Sequence, residues 1–267
     1  MDALHEKHEA LRRALAKLGS VAVAFSAGVD STFLLKTAAD VLGDKAVAVT
    51  AQSVFIPARE QDEAVLFCRE HGIRHFIVTA DVLSVEGVAA NPPDRCYRCK
   101  KALFSLFLEK AEALGIPFVA EGSNTDDLGD YRPGMKAIAE LGILSPLRDA
   151  GLGKQEIRAL SREIGLPTWD KPSYACLASR FVYGEPIDPG RLKMVEKAEE
   201  KLRSMGLRQL RVRLHGDLAR IEVMPDKIPF LAEKREEIAG YLRSIGFRYV
   251  TLDLDGFASG SMNRPLG

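Results

Sequence analysis

The stretch VAVAFSAGVDS, from Val21 to Ser31, decides the fold of this chain. Its five leading apolar residues predict a short buried strand, and the small polar residues after them predict a turn. Ser31 then opens the run TFLLKTAADVL, which predicts a helix. Free amides at the turn and at the first helical turn, together with the helix dipole, favour an anion there. The stretch therefore predicts a strand–turn–helix unit that binds an anion.

Each residue type in the turn has a chemical part in that prediction. We expect Gly28 to supply backbone freedom and Ser26 and Ser31 to supply hydroxyls. Asp30 either caps the helix or holds a metal ion, and Val29 lies among the residues that line the anion. An ordinary turn with a Ser or Asp helix cap is the alternative interpretation.

The order SxGxDS after a buried strand resembles the PP-loop of the ATP pyrophosphatase superfamily, which is usually SGGxDS. This resemblance implies cleavage of ATP between its α and β phosphates, with pyrophosphate held in the turn. Here Ala27 replaces the first glycine of the pair. A left-handed backbone at that position costs an alanine roughly 1 kcal/mol more than a glycine. The chain has no GxxxxGK[ST] motif, so a Walker-type NTPase is not supported.

Beyond the turn, apolar strands alternate with amphipathic helices as far as residue 186, as in KAVAVTAQS and RHFIVTA with a helix between them. The alternation predicts an α/β fold with a parallel sheet covered by helices on both faces. Ligands bind at the carboxyl ends of such strands, so Ser26 and Ser53 are expected at one edge, beside the nucleotide. Cys68 lies in the intervening helix and is interpreted as a buried packing thiol.

A polar loop follows the next predicted strand and carries no hydrophobic pattern, so packing does not explain its residues. We expect it to contact ATP, magnesium or substrate, and a solvated loop is the alternative. Lys154 is predicted just inside the start of a later helix, where the dipole disfavours a cation. It either reaches the pyrophosphate or is simply solvated. The candidates in the loop are Gly122, Ser123, Asp126, Asp127 and Arg132.

A boundary is predicted at prolines and a glycine near residue 186, with a small α+β domain over 187–267. In that domain RQLRVRLHGDLARIEV is interpreted as one alternating strand, which places Arg211 and Arg213 on one face. The two arginines are either solvated edge charges or an anion site for a substrate phosphate.

Composition limits the partners. Thirty-seven basic residues balance thirty-seven acidic ones among 267, so no global field attracts nucleic acid or an anionic membrane. The first residues predict a charged amphipathic helix rather than a signal peptide, and no apolar run reaches membrane-spanning length. Four cysteines in a chain of this length are not a disulfide scaffold, and we expect a cytoplasmic protein.

A CxxC pair, Cys96 and Cys99, allows a redox disulfide, half of a zinc site or cluster ligation. The sequence contains no second CxxC, which makes a closed four-ligand zinc site awkward. With Cys176 the pair supplies three thiolates, a number that suits a [4Fe–4S] cluster with one open iron. Spacing alone does not bring Cys176 near the pair.

Six stretches are distinctive: SAGVDS (26–31), EGSNTDDLGDYRPG (121–134), GLGKQEIRALSREIGLP (151–167), KPSYACLASRFVYG (171–184), RVRLHGDLARIEV (211–223) and GFRYVTLDLDGF (246–257). Together they resemble the LarE family of sulfur transferases, which makes the nickel-pincer nucleotide cofactor of lactate racemase, along nearly the whole chain. The resemblance implies that ATP and magnesium adenylate a carboxylate of pyridinium-3,5-biscarboxylic acid mononucleotide with release of pyrophosphate. Sulfur then displaces AMP, and the second carboxylate follows.

Members of that family differ in their source of sulfur. Some sacrifice the cysteine that matches Cys176, whereas others have two more cysteines, for which a [4Fe–4S] cluster with an extra sulfide is implied. Cys96 and Cys99 place this sequence in the second group. The resemblance also implies a homo-hexamer and transient partners that donate sulfide and insert nickel. It assigns a substrate phosphate to Arg211 and Arg213 and, more weakly, a metal or acid–base role to Glu199.

Three other functions stay open on the sequence alone. A PP-loop tRNA thiolation enzyme also uses three cysteines, although the chain has no clustered basic stretch for RNA. An amide-forming PP-loop synthetase has no need of the cysteines. A nucleotide-binding or metal-binding regulatory module does no chemistry and releases no pyrophosphate.

Overall fold

The computed structural model describes residues 2–129, 133–258 and 261. Its contacts divide the chain into two compact units. Unit 1 contains Met1–Val85 and Asp94–Tyr174, and unit 2 contains Glu86–Pro93 and Ala175–Gly267. Among the helices of these described stretches, none is long and apolar enough to cross a membrane.

Unit 1 is an α/β fold, as predicted. Its strands form a parallel four-stranded sheet in the order β3-β2-β1-β4, and Phe25 extends the β1–β2 pairing by donating its amide to the Val49 carbonyl at 2.9 Å. The elements in chain order are α1 (Ala3–Leu18), β1 (Val21–Ala24), α2 (Val29–Leu42), β2 (Ala46–Gln52), α3 (Ala58–Glu70), β3 (Arg74–Thr79), α4 (Arg95–Ala113), β4 (Val119–Ala120), α5 (Pro133–Glu140), α6 (Pro146–Asp149) and α7 (Lys154–Glu163).

Strand β1 packs on both faces, which is why its residues are apolar without alternation. Val21 and Val23 belong to an apolar cluster with Phe33 of α2 and residues of α1 and α7. Ala22 points the other way, into a cluster with Phe104 of α4. Both faces of the sheet are therefore covered. A ligand can approach at the carboxyl ends of its strands.

Three of the cysteines lie in helices of unit 1. Cys68 is 1% exposed in α3, and burial raises the pKa of its thiol to about 12, so the prediction of an inert packing thiol is confirmed. Cys96 and Cys99 lie inside the first turns of α4, which begins directly after Asp94. There the Asp94 carbonyl accepts the Tyr97 amide at 2.9 Å.

Unit 2 is a small α+β fold with a three-stranded sheet in the order β5-β6-β7. The predicted single strand is wrong: β5 and β6 form an antiparallel hairpin, whose turn contains Gly216 at φ +55°. Strand β7 pairs with β6 in parallel. The elements are a 3-10 turn (Leu177–Arg180), α8 (Pro189–Ser204), β5 (Leu210–His215), β6 (Leu218–Val223), α9 (Ile228–Glu233), α10 (Arg235–Ser244) and β7 (Tyr249–Leu252).

The boundary predicted at residue 186 falls inside unit 2 instead of at its start. The cause is a set of hydrogen bonds that joins the chain before residue 186 to this unit. Asn91 donates its side-chain amide to the Val182 carbonyl at 2.6 Å, and Phe181 forms a parallel bridge with Leu214 of β5. Local prolines mark a bend there, and tertiary hydrogen bonds set the boundary.

Candidate functional site

Residues 26–31 form a compact turn at the carboxyl end of β1, named the anion turn below. The Ser26 and Ser31 hydroxyl oxygens are 3.1 Å apart, and the Ser26 amide donates to the Ser31 hydroxyl at 3.3 Å. Helix α2 begins at Val29 with Gly28 as its N-cap residue, and Gly28 has no side chain to cap the helix. The first amides of α2 have no acceptor inside the helix, so they are free to bind an anion.

The left-handed backbone of the anion turn is at Ala27, and not at Gly28 as expected. Gly28 has φ −81°, which any residue adopts, whereas Ala27 has φ +52°. This conformation therefore costs Ala27 roughly 1 kcal/mol more than it would cost a glycine. Its carbonyl accepts a hydrogen bond at 2.7 Å from the Lys171 ammonium group.

The Asp30 carboxylate lies between two donors that come from distant parts of the sequence. Lys154, the first residue of α7, forms an ion pair with Asp30 Oδ2. Asn124 donates its side-chain amide to Asp30 Oδ1 at 3.4 Å. Lys154 is therefore not simply solvated, and it faces the same helix start as the anion turn.

Gly122 is required by close packing against the anion turn. A Cβ at this residue would lie 2.9 Å from the Ser31 amide nitrogen and 3.2 Å from both Asp30 Cβ and the Asp30 carbonyl carbon. No side chain fits that gap, so the loop after β4 contacts the start of α2 directly.

Buried hydrogen bonds shape the loop after β4, and its acidic residues take part in them. Glu121 is 7% exposed and accepts hydrogen bonds from the Ser123 and Ser145 hydroxyls at 2.7 and 2.6 Å. Asp126 accepts the Lys154 amide at 3.0 Å and so caps α7, and Asp127 accepts the Asn124 amide at 2.9 Å. The loop is thus a built structure and not merely solvated.

Two further candidates have simpler positions. Ser53 follows β2, next to β1 in the sheet, and its hydroxyl accepts the Phe55 amide at 3.3 Å. Ser26 and Ser53 therefore lie at the same edge of the sheet, as expected. Arg132 lies outside the described residues.

Cys176 begins the 3-10 turn of unit 2, and a buried arginine holds the backbone around it. The Arg180 guanidinium is 1% exposed and donates to the carbonyls of Ala175 and Cys176 at 2.5 and 3.0 Å. Its other nitrogens donate to both carboxylate oxygens of Glu199 on α8, at 2.8 and 2.9 Å. The Cys176 thiol itself is half-buried.

Glu199 is completely buried, and its surroundings keep it ionised. Burial alone would raise its pKa, but the charges of Arg180, Arg203 and Arg211 and the hydrogen bonds from Arg180 lower the pKa to about 2. The Val212 amide of β5 also donates to Glu199 at 3.1 Å. Glu199 therefore links α8, β5 and the Cys176 turn as a permanent anion.

Arg211 and Arg213 are both 4% exposed, so the interpretation as solvated edge charges is wrong. Burial lowers both pKa values, that of Arg211 to about 10. Arg213 pairs with Glu222 at 3.0 Å and donates to the Ser179 carbonyl at 2.9 Å. The Arg211 guanidinium lies 5.1 Å from the centroid of the Phe257 ring. Desolvated arginines beside the Cys176 turn have the chemistry that binds anions.

Cys96 and Cys99 lie three residues apart on α4, and therefore on one side of that helix. Both are half-buried thiols rather than disulfide sulfurs, and the guanidinium of Arg95, 3% exposed, lies 3.8 Å from the Cys96 sulfur. Among the described residues, neither unit contains a group of three or more His, Cys, Asp or Glu side chains arranged for a metal ion.

The predicted residues thus fall into two groups. Unit 1 gathers the anion turn, Gly122, Asp126 and Lys154 around the start of α2, and it also contains Ser53 and the CxxC pair. Unit 2 gathers Cys176, Glu199 and Arg213 into one hydrogen-bonded cluster through Arg180 and Ser179, and the charge of Arg211 acts on Glu199 in the same cluster.

Sequence reasoning missed four of the residues that shape these groups. Each is a polar residue buried by partners distant in the sequence, so no local period identifies it. Glu121 and Asn124 follow the end of a strand, and Lys171 and Arg180 lie in the irregular stretch KPSYACLASR. In both places the available signal was a polar residue among small or irregular neighbours.

The chain is similar to proteins of known and unknown activity. No protein-family model matches it. It is 43% identical to an uncharacterised protein of Synechocystis, covering 98% of this chain and 99% of that one. It is 29% identical to one of the subunits of the glutamine-hydrolysing GMP synthase of Thermoplasma acidophilum, over 70% of this chain and 65% of the relative.

A third relative carries the family assignment. The pyridinium-3,5-bisthiocarboxylic acid mononucleotide synthase of Lactiplantibacillus plantarum is 41% identical over 100% of this chain and 97% of its own length. Identity at this level along nearly the full length of both proteins leaves one conclusion. This chain belongs to the family of pyridinium-3,5-bisthiocarboxylic acid mononucleotide synthases.

Proposed function

We propose that this chain is an ATP-dependent sulfur transferase of nickel-pincer nucleotide synthesis. Its substrate is pyridinium-3,5-biscarboxylic acid mononucleotide, whose carboxylates it converts to thiocarboxylates. The observation that carries the proposal is Asp30, held between Lys154 and Asn124 at the start of α2, in a chain 41% identical to a synthase of the bisthiocarboxylic product.

The nucleotide is assigned to the strand ends of unit 1. Free amides of the anion turn and the Lys154 ammonium group bind the pyrophosphate part of ATP. Asp30 is the carboxylate that would hold magnesium, and Lys154, its ion-pair partner in the ligand-free chain, would supply positive charge to a phosphate. The remaining contacts to ATP are assigned to Ser26, Gly28, Val29, Ser31, Ser53, Gly122, Asp126 and Arg132.

The reaction has two steps for each carboxylate. A substrate carboxylate oxygen attacks the α-phosphorus of ATP, the bond to the oxygen that bridges the α and β phosphates breaks, and pyrophosphate leaves. A sulfide then attacks the acyl carbon, the bond to the AMP oxygen breaks, and AMP leaves with its electron pair. The product is a thiocarboxylate, and no external oxidant or reductant is needed.

The substrate is assigned to unit 2. Arg211 and Arg213 supply desolvated positive charge for its phosphate, because a buried arginine stays protonated at neutral pH. Arg180 positions the Cys176 turn, and the buried Glu199 holds Arg180 in place instead of acting as a metal ligand, an acid or a base.

We assign the sulfur to three thiols, Cys96, Cys99 and Cys176. They fit a [4Fe–4S] cluster in donor chemistry, because each is a half-buried thiol and two lie on one side of α4 next to a buried guanidinium. When bound, such a cluster would present a nucleophilic sulfide on its open iron. The protein then loses no side-chain atom in a turnover. A homo-hexamer and separate sulfide-donating and nickel-inserting partners complete the proposal.

The test is anaerobic turnover of the full chain with ATP, magnesium and the dicarboxylate mononucleotide, with pyrophosphate and thiocarboxylate both quantified. Asp30→Ala should lower pyrophosphate release by about a hundredfold or more, because a metal supplies several kcal/mol of charge stabilisation. Iron content should stay unchanged. Cys176→Ala should release pyrophosphate but form no thiocarboxylate. Normal pyrophosphate release by Asp30→Ala would refute the assignment of the anion turn.

Iron and sulfide analysis tests the proposed cluster independently of the proposed transferase activity. Reconstituted protein should contain near four of each per chain, as a [4Fe–4S] cluster requires. Zinc in place of iron, with thiocarboxylate still formed, would refute the cluster and keep the transferase. A size measurement by light scattering tests the hexamer.

The similarity to the GMP synthase of Thermoplasma acidophilum favours one alternative, an amide-forming synthetase. In that alternative ammonia displaces AMP, whereas in the proposed reaction sulfide displaces it. If ammonia yields a stable product with this chain whereas sulfide yields none, the alternative replaces the proposal.

A further inference from the structure

Ala27 has a backbone conformation that its own side chain disfavours. Its φ is +52°, in the left-handed region, and the residue is 2% exposed. Glycine adopts this conformation without cost, but an alanine tends to leave it. Gly28 follows directly as the N-cap of α2, so a flip of Ala27 would move the first amides of that helix.

Lys171 contacts the carbonyl group of Ala27 itself. Its ammonium group donates to the Ala27 carbonyl at 2.7 Å and forms an ion pair with Glu63 of α3. The Lys171 side chain is 13% exposed, so water competes little for it. Glu63 also pairs with Arg59, whose guanidinium lies 5.1 Å from the centroid of the Tyr174 ring. The Lys171 ammonium group is therefore held by the Ala27 carbonyl and by the Glu63 carboxylate.

We propose that Lys171 is a positioning residue for the anion turn. With Glu63 it holds Ala27 in the left-handed conformation and so keeps the first amides of α2 in place for pyrophosphate. Lys171 does for this sequence what a glycine at residue 27 does without help. The inference rests on the proposed nucleotide site and adds the residue that sets its shape.

The experiment is calorimetric binding of inorganic pyrophosphate with magnesium to the full chain. Lys171→Met should weaken binding about tenfold, the equivalent of one lost hydrogen bond to a charged group. Lys17→Met, which removes an exposed lysine of α1, is the matched control and should bind as the parent does. The double variant Ala27→Gly/Lys171→Met should recover most of the affinity, because glycine adopts the conformation unaided.

The rescue separates positioning from direct contact. If Ala27→Gly restores nothing, Lys171 binds the phosphate itself and the positioning role is refuted. Equal affinity of the parent and Lys171→Met, or no binding by the parent, also refutes it. A parent that binds pyrophosphate but forms no thiocarboxylate instead refutes the proposed function and keeps this inference.

A second variant and a second measurement distinguish a loss of positioning from a loss of folding. Lys171→Gln keeps a donor for the Ala27 carbonyl without the charge, and it should bind with an affinity between those of the parent and Lys171→Met. Hydrogen exchange of residues 25–31 in the ligand-free chain should be faster in Lys171→Met. Unchanged exchange there, in a folded variant, would contradict the role.

Discussion

A methyl group at residue 122 has no room beside the anion turn. Gly122→Ala would bring a Cβ to 2.9 Å from the Ser31 amide nitrogen, and backbone atoms yield less readily than a side-chain tip. Overpacking of this kind costs about 1–3 kcal/mol of unfolding free energy. We expect that loss in urea denaturation, together with weaker pyrophosphate binding, because the start of α2 must shift.

Gly240→Ala is the matched control for that substitution. Gly240 is exposed inside α10, with nothing within 4 Å of the position that a Cβ would take, and alanine favours a helix by up to about 1 kcal/mol. The same chemical change should therefore have the opposite sign at the two positions. A Gly122→Ala variant as stable as the parent would show that the loop after β4 does not press on the turn.

At the scale of elements, Arg180 joins the Cys176 turn to α8. Arg180→Met would leave the fully buried Glu199 carboxylate without its bidentate partner. Breaking a buried ion pair in this way costs about 3–5 kcal/mol. Arg235→Met, at a residue whose side chain is 71% exposed, should change stability by about 0.5 kcal/mol or less. A loss under about 1 kcal/mol for Arg180→Met would contradict the part given to Glu199.

Elements that a local pattern defines were predictable, and elements that distant contacts define were not. Strand β1, the anion turn and α2 follow from five apolar residues and one polar turn. The β5–β6 hairpin was missed because Gly216 sits in an otherwise alternating run. The contact of Lys171 with Ala27 joins residues 144 positions apart, which no local periodicity reports.

At the scale of the whole molecule, three histidines make stability depend on pH. Burial is the main cause that lowers the pKa of each, and they lie in both units: His8, His75 and His215. Below the unfolded pKa of about 6.5, the unfolded chain binds more protons than the native one. The free energy of unfolding should therefore fall as pH drops from 7 towards 5.

The other titrating groups do not cancel this trend. Hydrogen bonds to Glu163 and Asp2 raise the pKa of His5, so its contribution is present below pH 6.5 and lost as pH rises through the folded pKa. That side chain is 39% exposed, and solvent screens its pairs. Glu199, with a pKa of about 2, stays ionised until far more acid conditions.

His75 offers the sharpest test of this dependence, because, among the residues that the structure describes, a single hydrogen bond engages its ring inside the sheet of unit 1. The Thr50 hydroxyl donates to the Phe25 carbonyl at 2.8 Å, so it accepts from His75 Nε2 at 2.8 Å, a bond that the neutral ring makes as its Nε2–H tautomer. His75→Gln keeps a donor and removes the titration. Urea midpoints at pH 7.5 and 5.5 should differ less in this variant than in the parent. An equal difference in both would show that His75 titrates alike in the folded and unfolded chain.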